Sequence, residues 1–329
     1  MFPRQLPLFG KPSILEWRCI MSSVRGGMHA RHHTPNQDSY GRLSPLDSPT
    51  LTAAVADGHG SPEYVRSKQG SRFAVETALD AINRLPTAKE KQGLTRVKRY
   101  ALELLPRSIS NEWARRVAEH FALNPFTPAE TALVEDQAGA QRLERLLRNP
   151  LRAYGTTLLA CTITPTYALY YKLGDGALLA LDAFHEAFTP VPHDERLVGN
   201  QTTSLCAPES WRDAKVTFHP RVEQCPVFVL LCTDGFANAY PDDDSLAGAA
   251  RNLLEDLATH GHDALQCELP AILDEVSLTC TGDDSTLALL YNHPHVRTLS
   301  KCEKGASHDS NPRSEHGSQN LPLWAHVPY

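Results

Sequence analysis

Long apolar runs are scarce in this chain of 329 residues, and none approaches the roughly 20 apolar residues that a membrane-spanning helix requires. The first residues, MFPRQLPLFGKPSILEW, are broken by prolines and charges and show no continuous apolar stretch. No strong cluster of Lys or Arg appears, and the formal charge of −6 argues against a dedicated nucleic-acid binder. Neither a Walker motif nor a G-x-G-x-x-G turn is present, so the common glycine-rich phosphate cradles are excluded, and no internal repeat is visible. The eight cysteines (Cys19, Cys161, Cys206, Cys225, Cys232, Cys267, Cys280 and Cys302) form no C-x-x-C pair. Several, such as Cys161 and Cys232, lie inside apolar runs and read as buried reduced thiols. The expectation is a cytoplasmic protein with no membrane and no nucleic-acid partner.

What is present is an ordinary globular composition, 41% hydrophobic and 21% charged, enough for a sizeable core. Length suggests two domains, although a layered core can reach roughly 250 residues as one unit. Residues 1–16 have little periodicity and read as a flexible leader. WRCIMSSV (17–24) and LTAAVA (51–56) read as strands. Helical spacing runs from about Pro62 to Leu85, and a helix-rich region follows over 88–150, with an Asn or Ser cap candidate just before EWARRVAEHF. In that last piece Trp113 and Val117 form a buried stripe. Strand formers then take over in GTTLLACTI (155–163) and YALYYKL (167–173). Gly174-Asp175-Gly176 signals a hairpin into ALLAL. Residues 186–222 read as an irregular, flap-like lobe. VFVLLC (227–232) is a buried strand, two helices follow it, and TLALLY (286–291) closes the core. The Ser-, His-, Asn- and Lys-rich composition beyond predicts a disordered tail over 292–329.

Four of these strands carry an aspartate at one end: Asp57, Asp175, Asp234 and Asp283. Each alone is first a turn or loop residue. Carboxylates at strand ends can converge at a sheet rim, and hard oxygen ligands suit magnesium or manganese better than zinc. The His32-His33 pair has no further ligand at metal spacing and reads as a surface pair.

VADGHGS (55–61) resembles the hallmark of the type-2C, or PPM, family of metal-dependent serine/threonine phosphatases. Five further stretches are similar to that family's motifs, in its order: PNQDSYG (35–41), YGTTLLA (154–160), LGDGALL (173–179), LLCTDGFAN (230–238) and GDDSTLALL (282–290). The resemblance covers about residues 17–291 and so replaces two domains with one. It implies an α/β/β/α sandwich with two central, mainly antiparallel sheets, and hydrolysis of phosphoserine or phosphothreonine in a phosphorylated protein by a metal-activated water. Two or three Mn2+ or Mg2+ ions are implied.

Residue by residue, the resemblance makes Asp57 the carboxylate that bridges two metals and Gly58 a backbone-carbonyl ligand. Asp234 and Asp283 become ligands of one metal, Asp38 serves the second, and Asp175 belongs to an additional, weaker site. His59 becomes the acid that protonates the leaving oxygen. Many family members grip phosphate with an arginine where this chain has His33, and the Gly27–Asp38 segment resembles a bacterial branch with histidine at the position of His29. Phosphate contact is therefore expected from His29, Arg31 or His33, or from the metals. Gln37 replaces a glutamate of the classical pattern. GNQTTSLCAPESW (199–211) resembles the flap of the same branch. Two rival readings remain at this level: an inactive, partner-binding domain of the same fold, and a hydrolase for a small phosphoester.

Overall fold

A computed structural model describes residues 16–44, 49–85, 91–192, 202–220 and 225–306. In chain order, β1 (Trp17–Val24), α1 (Gly27–Arg31), β2 (Ser39–Leu43) and β3 (Leu51–Ala56) lead into the helices α2 (Ser67–Asn83), α3 (Lys91–Glu103), α4 (Leu105–Leu123), α5 (Pro128–Ala138) and α6 (Ala140–Arg148). Strands β4 (Leu158–Ile163), β5 (Tyr167–Leu173), β6 (Ala177–Leu181), β7 (Ala187–Phe188), β8 (Lys215–Pro220) and β9 (Phe228–Cys232) follow. The chain continues through α7 (Asp234–Ala237), α8 (Asp243–His260), α9 (His262–Val276), β10 (Ser285–Asn292) and α10 (His293–Ala306).

The strands form two five-stranded antiparallel sheets, one in the order β1-β10-β9-β6-β7 and the other β2-β3-β4-β5-β8. The inner strands β3, β4, β5, β6, β9 and β10 are largely apolar because both of their faces are covered, whereas β2 and β8 at the edges of one sheet are mixed and partly exposed. Side chains alternate between faces, so Leu178, Ala180, Val229, Leu231, Ala288 and Leu290 meet the other sheet. Their neighbours Leu179, Leu181, Leu230, Leu287 and Leu289 pack outward with residues of α8 and α9. On the far side, Ala54, Leu158, Ala160 and Tyr171 pack with residues of α2 and α4, including the fully buried Trp113 and Val117. The result is the α/β/β/α sandwich expected from the family resemblance.

Four local expectations are corrected. Gly174-Asp175-Gly176 is not a hairpin: β5 pairs with β4 and β8 in one sheet, whereas β6 pairs with β9 and β7 in the other. The glycines permit a crossing between sheets, since a Cβ on Gly174 (φ +109°) would lie 2.5 Å from Thr157 Cγ2, and one on Gly176 would lie 2.6 Å from the Cys232 carbonyl oxygen. α4 begins at Leu105 with Pro106 in its first turn, so Asn111 and Ser110 lie inside the helix and Ser110 Oγ bonds Ser210 Oγ at 2.6 Å. Within the segment expected to be irregular, Lys215–Pro220 forms the edge strand β8. The tail expected from residue 292 begins instead as helix α10, with Val296 buried against the α8–α9 layer. The leader up to residue 15, and residues 307–329, lie outside the described residues.

Candidate metal centre

The strand ends deliver three carboxylates to one point on the seam between the sheets. Asp57 follows β3, Asp234 follows β9 and Asp175 rides the β5–β6 crossing, and one oxygen from each lies within 4.8 Å of the others. Asp57 is fixed through its backbone. Its N–H donates to Thr157 Oγ1 (3.0 Å), and its carbonyl accepts from Thr157 N (2.8 Å) and Thr156 Oγ1 (2.7 Å). The Gly-Thr-Thr segment is thus a clamp on the central aspartate. Gly58 bridges to Thr156, and a Cβ there would lie 2.6 Å from the Gln37 carbonyl oxygen, so glycine is required for this approach.

Asp38 lies beside this group and is buried. Its Oδ2 accepts from Thr233 Oγ1 (2.8 Å) and Thr286 Oγ1 (2.7 Å), while Oδ1 has no hydrogen-bond partner. Burial pushes Asp38 up to about 8; the Thr286 hydroxyl opposes this and Asp284 reinforces it. Burial also pushes Asp234 up to about 6, with Asp175 adding repulsion. Asp57 is held well above the usual carboxylate range, first by burial and then by Asp38 and Asp234. Such a cluster is short of positive charge.

Asp283 joins a second group. The three-carboxylate group leaves it out, and it sits with His29 and Asp284, although its charge reaches Asp57 and Asp234. Burial raises its pKa. His29 Nδ1 lies 2.8 Å from Asp284 Oδ1, off the direction of its N–H, and Nε2 lies 3.8 Å from Asp283 Oδ1. The closeness of Asp284 raises the His29 pKa against the opposing effect of burial.

Sequence reasoning missed Asp284. It is buried and accepts from Gly26 N (2.7 Å) and Gln37 N (2.6 Å), tying the loop that carries Asp38 to the start of β10. The Asp-Asp doublet was visible, but its second member carries no motif signal of its own. Arg66 was missed as well: it holds Glu130 (2.7 Å), Tyr154 Oη (2.8 Å) and two carbonyls, bracing the start of α2 against α5.

The expected phosphate-gripping residues do not converge. Arg31 is exposed and its Nε donates back to the Gly27 carbonyl (3.2 Å), whereas His29 and His33 line a groove together with Asp283. His33 adopts the left-handed conformation at φ 57°. His59 sits at the rim of the cluster with its N–H on the Gly155 carbonyl (3.1 Å) and its ring edge-to-face with Tyr64 at 4.8 Å. Burial pushes its pKa down to about 4, partly offset by Asp175.

The donor set fits hard divalent cations. Asp57, Asp175 and Asp234 offer converging oxygens, Asp38 adds a buried oxygen without a partner, and the group contains neither sulfur nor imidazole. Cations there would relieve the repulsion that raises these pKa values.

Residues 25–274 match the family described as Protein phosphatase 2C. No curated protein matches the sequence. Among solved structures, the fold is similar to a bacterial serine phosphatase at 14% identity and TM-score 0.54, covering 85% of this chain and 98% of that one. It is also similar to the serine/threonine phosphatase Stp1 from Staphylococcus aureus at 13% identity and TM-score 0.52, covering 88% of this chain and 99% of that one.

Proposed function

The chain belongs to the protein phosphatase 2C family, the metal-dependent serine/threonine phosphatases acting on phosphorylated proteins, and from that premise we propose which residues carry the hydrolysis. The supporting observation is the meeting of Asp57, Asp175 and Asp234 within 4.8 Å on the seam between the sheets. We take residues 17–291 as the phosphatase domain. Asp57, the Gly58 carbonyl, Asp234 and Asp283 would hold two divalent ions, manganese or magnesium, with Asp38 serving the second and Asp175 an additional one. When bound, such ions supply Lewis-acid activation of water and neutralise charge on the phosphoryl oxygens.

The chain's own groups set the geometry. Thr156 and Thr157 fix Asp57, Thr233 and Thr286 fix Asp38, and Asp284 fixes the loop between Gly26 and Asp38. We assign phosphate contact to His29, whose Nε2 lies 3.8 Å from Asp283 Oδ1, with His33 in the same groove lining. His59 is the candidate donor of a proton to the leaving seryl or threonyl oxygen. Its depressed pKa makes the protonated ring a strong acid present in small amount. Free thiols at Cys19, Cys161, Cys206 and Cys232, with no helix among the described residues long and apolar enough to cross a membrane, support a cytoplasmic setting.

The test is turnover of p-nitrophenyl phosphate with and without added manganese or magnesium. Activity is expected only with the ion, and Asp57→Asn or Asp234→Asn abolishes it. Metal-independent turnover, or none with any divalent ion, overturns the assignment.

A further inference from the structure

The groove that Asp283 lines encloses about 960 Å³, at the upper end of pockets that hold small ligands. α1 and the loop after it contribute Met28, His32 and His33. α5 contributes Glu130, Leu133 and Gln137, which recur at i, i+3 and i+7 and so share a face. Gly60, Tyr64, Val65 and Lys68, the last in the first turn of α2, add to the lining.

Three features give this groove a polypeptide character. Gln37 is only 8% exposed, lines the groove and leaves Oε1 without a hydrogen-bond partner, although its Nε2 donates to Ser67 Oγ at 2.6 Å. That Oε1 lies 3.7 Å, and His29 Nε2 lies 3.8 Å, from the point a Cβ on Gly60 would occupy, so the missing side chain opens a space edged by a free acceptor. A buried acceptor without a partner is costly; Oε1 itself is sealed from solvent, so a main-chain N–H from a bound chain would satisfy it once the Gln37 side chain turns toward the groove. Second, Lys68 is exposed and makes no ion pair among the described residues, whereas Glu130 across the groove is already held by Arg66. Third, Met28 and Leu133 are 46% and 44% exposed, large apolar side chains lining one groove.

We propose that this groove binds the substrate polypeptide next to the phosphorylated residue. Gln37 Oε1 accepts a main-chain N–H, Lys68 pairs with an acidic side chain, and Met28 and Leu133 receive an apolar one. Substrates are therefore phosphoproteins whose phosphosite is flanked on one side by acidic and apolar residues. This inference rests on the phosphatase assignment above.

Its test uses two phosphopeptides that differ only in a flanking glutamate or lysine, together with p-nitrophenyl phosphate, which carries no flanking residue. The wild-type protein should favour the acidic peptide by about fivefold in kcat/KM, through KM, the scale of one exposed ion pair. Lys68→Glu should reverse that preference, and Leu133→Arg should raise KM for both peptides. Affinity for the same labelled peptides, read by fluorescence polarisation, should follow the same order. Equal affinity for both peptides, or a Lys68→Glu variant that weakens both alike, overturns the groove. Charge-selective binding without any metal-dependent turnover would retain the groove and remove the phosphatase assignment instead.

Discussion

Thr233 Oγ1 donates to Asp38 Oδ2 across 2.8 Å, joining residues 195 positions apart in sequence. Thr233 follows β9 of one sheet and Asp38 precedes β2 of the other, so one hydroxyl spans the seam on which the site is built. The same Oγ1 accepts from Thr286 N at 3.0 Å.

Thr233→Val keeps the shape and removes both bonds. A buried carboxylate loses a donor and a buried N–H loses its acceptor, which costs about 1–3 kcal/mol each. Chemical denaturation should show a lower midpoint with an unchanged slope, and manganese should raise the melting temperature less than it does in the wild type. An unchanged midpoint would show that the hydroxyl is dispensable.

Asp284→Ala orphans the Gly26 and Gln37 N–H groups and frees the loop between them. The expected cost is about 1–3 kcal/mol for each donor that finds no water. Amide exchange should accelerate at Gln37 and Asp38 well before it does in β9. Uniform exchange across the protein would mean that Asp284 does no local pinning.

Glu130 supplies the pH dependence. Its hydrogen bonds from Arg66 and Thr127 depress its pKa from 4.5 to about 2. Because the folded value lies below the unfolded one, the stability from this group is present above about pH 4.5 and is lost as pH falls from there toward 2. Glu130→Gln should flatten that limb of a stability–pH curve and lower stability at pH 7. A parallel curve would assign the acid sensitivity elsewhere.

His59→Ala should slow an alkyl or seryl phosphoester by about 10²-fold and p-nitrophenyl phosphate far less, because only the poor leaving group needs a proton. Equal losses on both substrates would leave His59 as a brace on its loop, held by Gly155 and Tyr64.

The sequence made the strand ends legible because a strand buried on both faces is a short apolar word, and Asp57 and Asp234 each stop such a word. It could not show what the neighbouring Thr and Gly residues do. Thr156 and Thr157 act on Asp57 only because β4 lies beside β3, about 100 residues later. Asp-Gly after β5 reads as a local turn, since nothing nearby announces that the next strand belongs to the other sheet. The edge strand β8, KVTFHP, was passed over because its half-exposed, mixed side chains carry neither a buried-strand run nor a clean alternation. The grouping of the carboxylates was not legible either: an oxygen of Asp175 lies within 4.8 Å of those of Asp57 and Asp234, whereas Asp283 groups with His29 and Asp284. The Lys68 groove was not readable at all, since its walls come from α1 and α5, about a hundred residues apart.

The crossing at Gly174–Gly176 carries a consequence for assembly. Asp57 follows a strand of one sheet, Asp234 follows a strand of the other, and Asp175 lies on the stretch of chain that passes from β5 in the first to β6 in the second. A nascent chain with either sheet formed alone cannot bring these three oxygens together, because they meet only after both sheets have docked in register. Under the proposed metal assignment, ion uptake at these carboxylates reports completed assembly, and in a refolding experiment it should follow the burial of Leu231 and Leu290 rather than precede it.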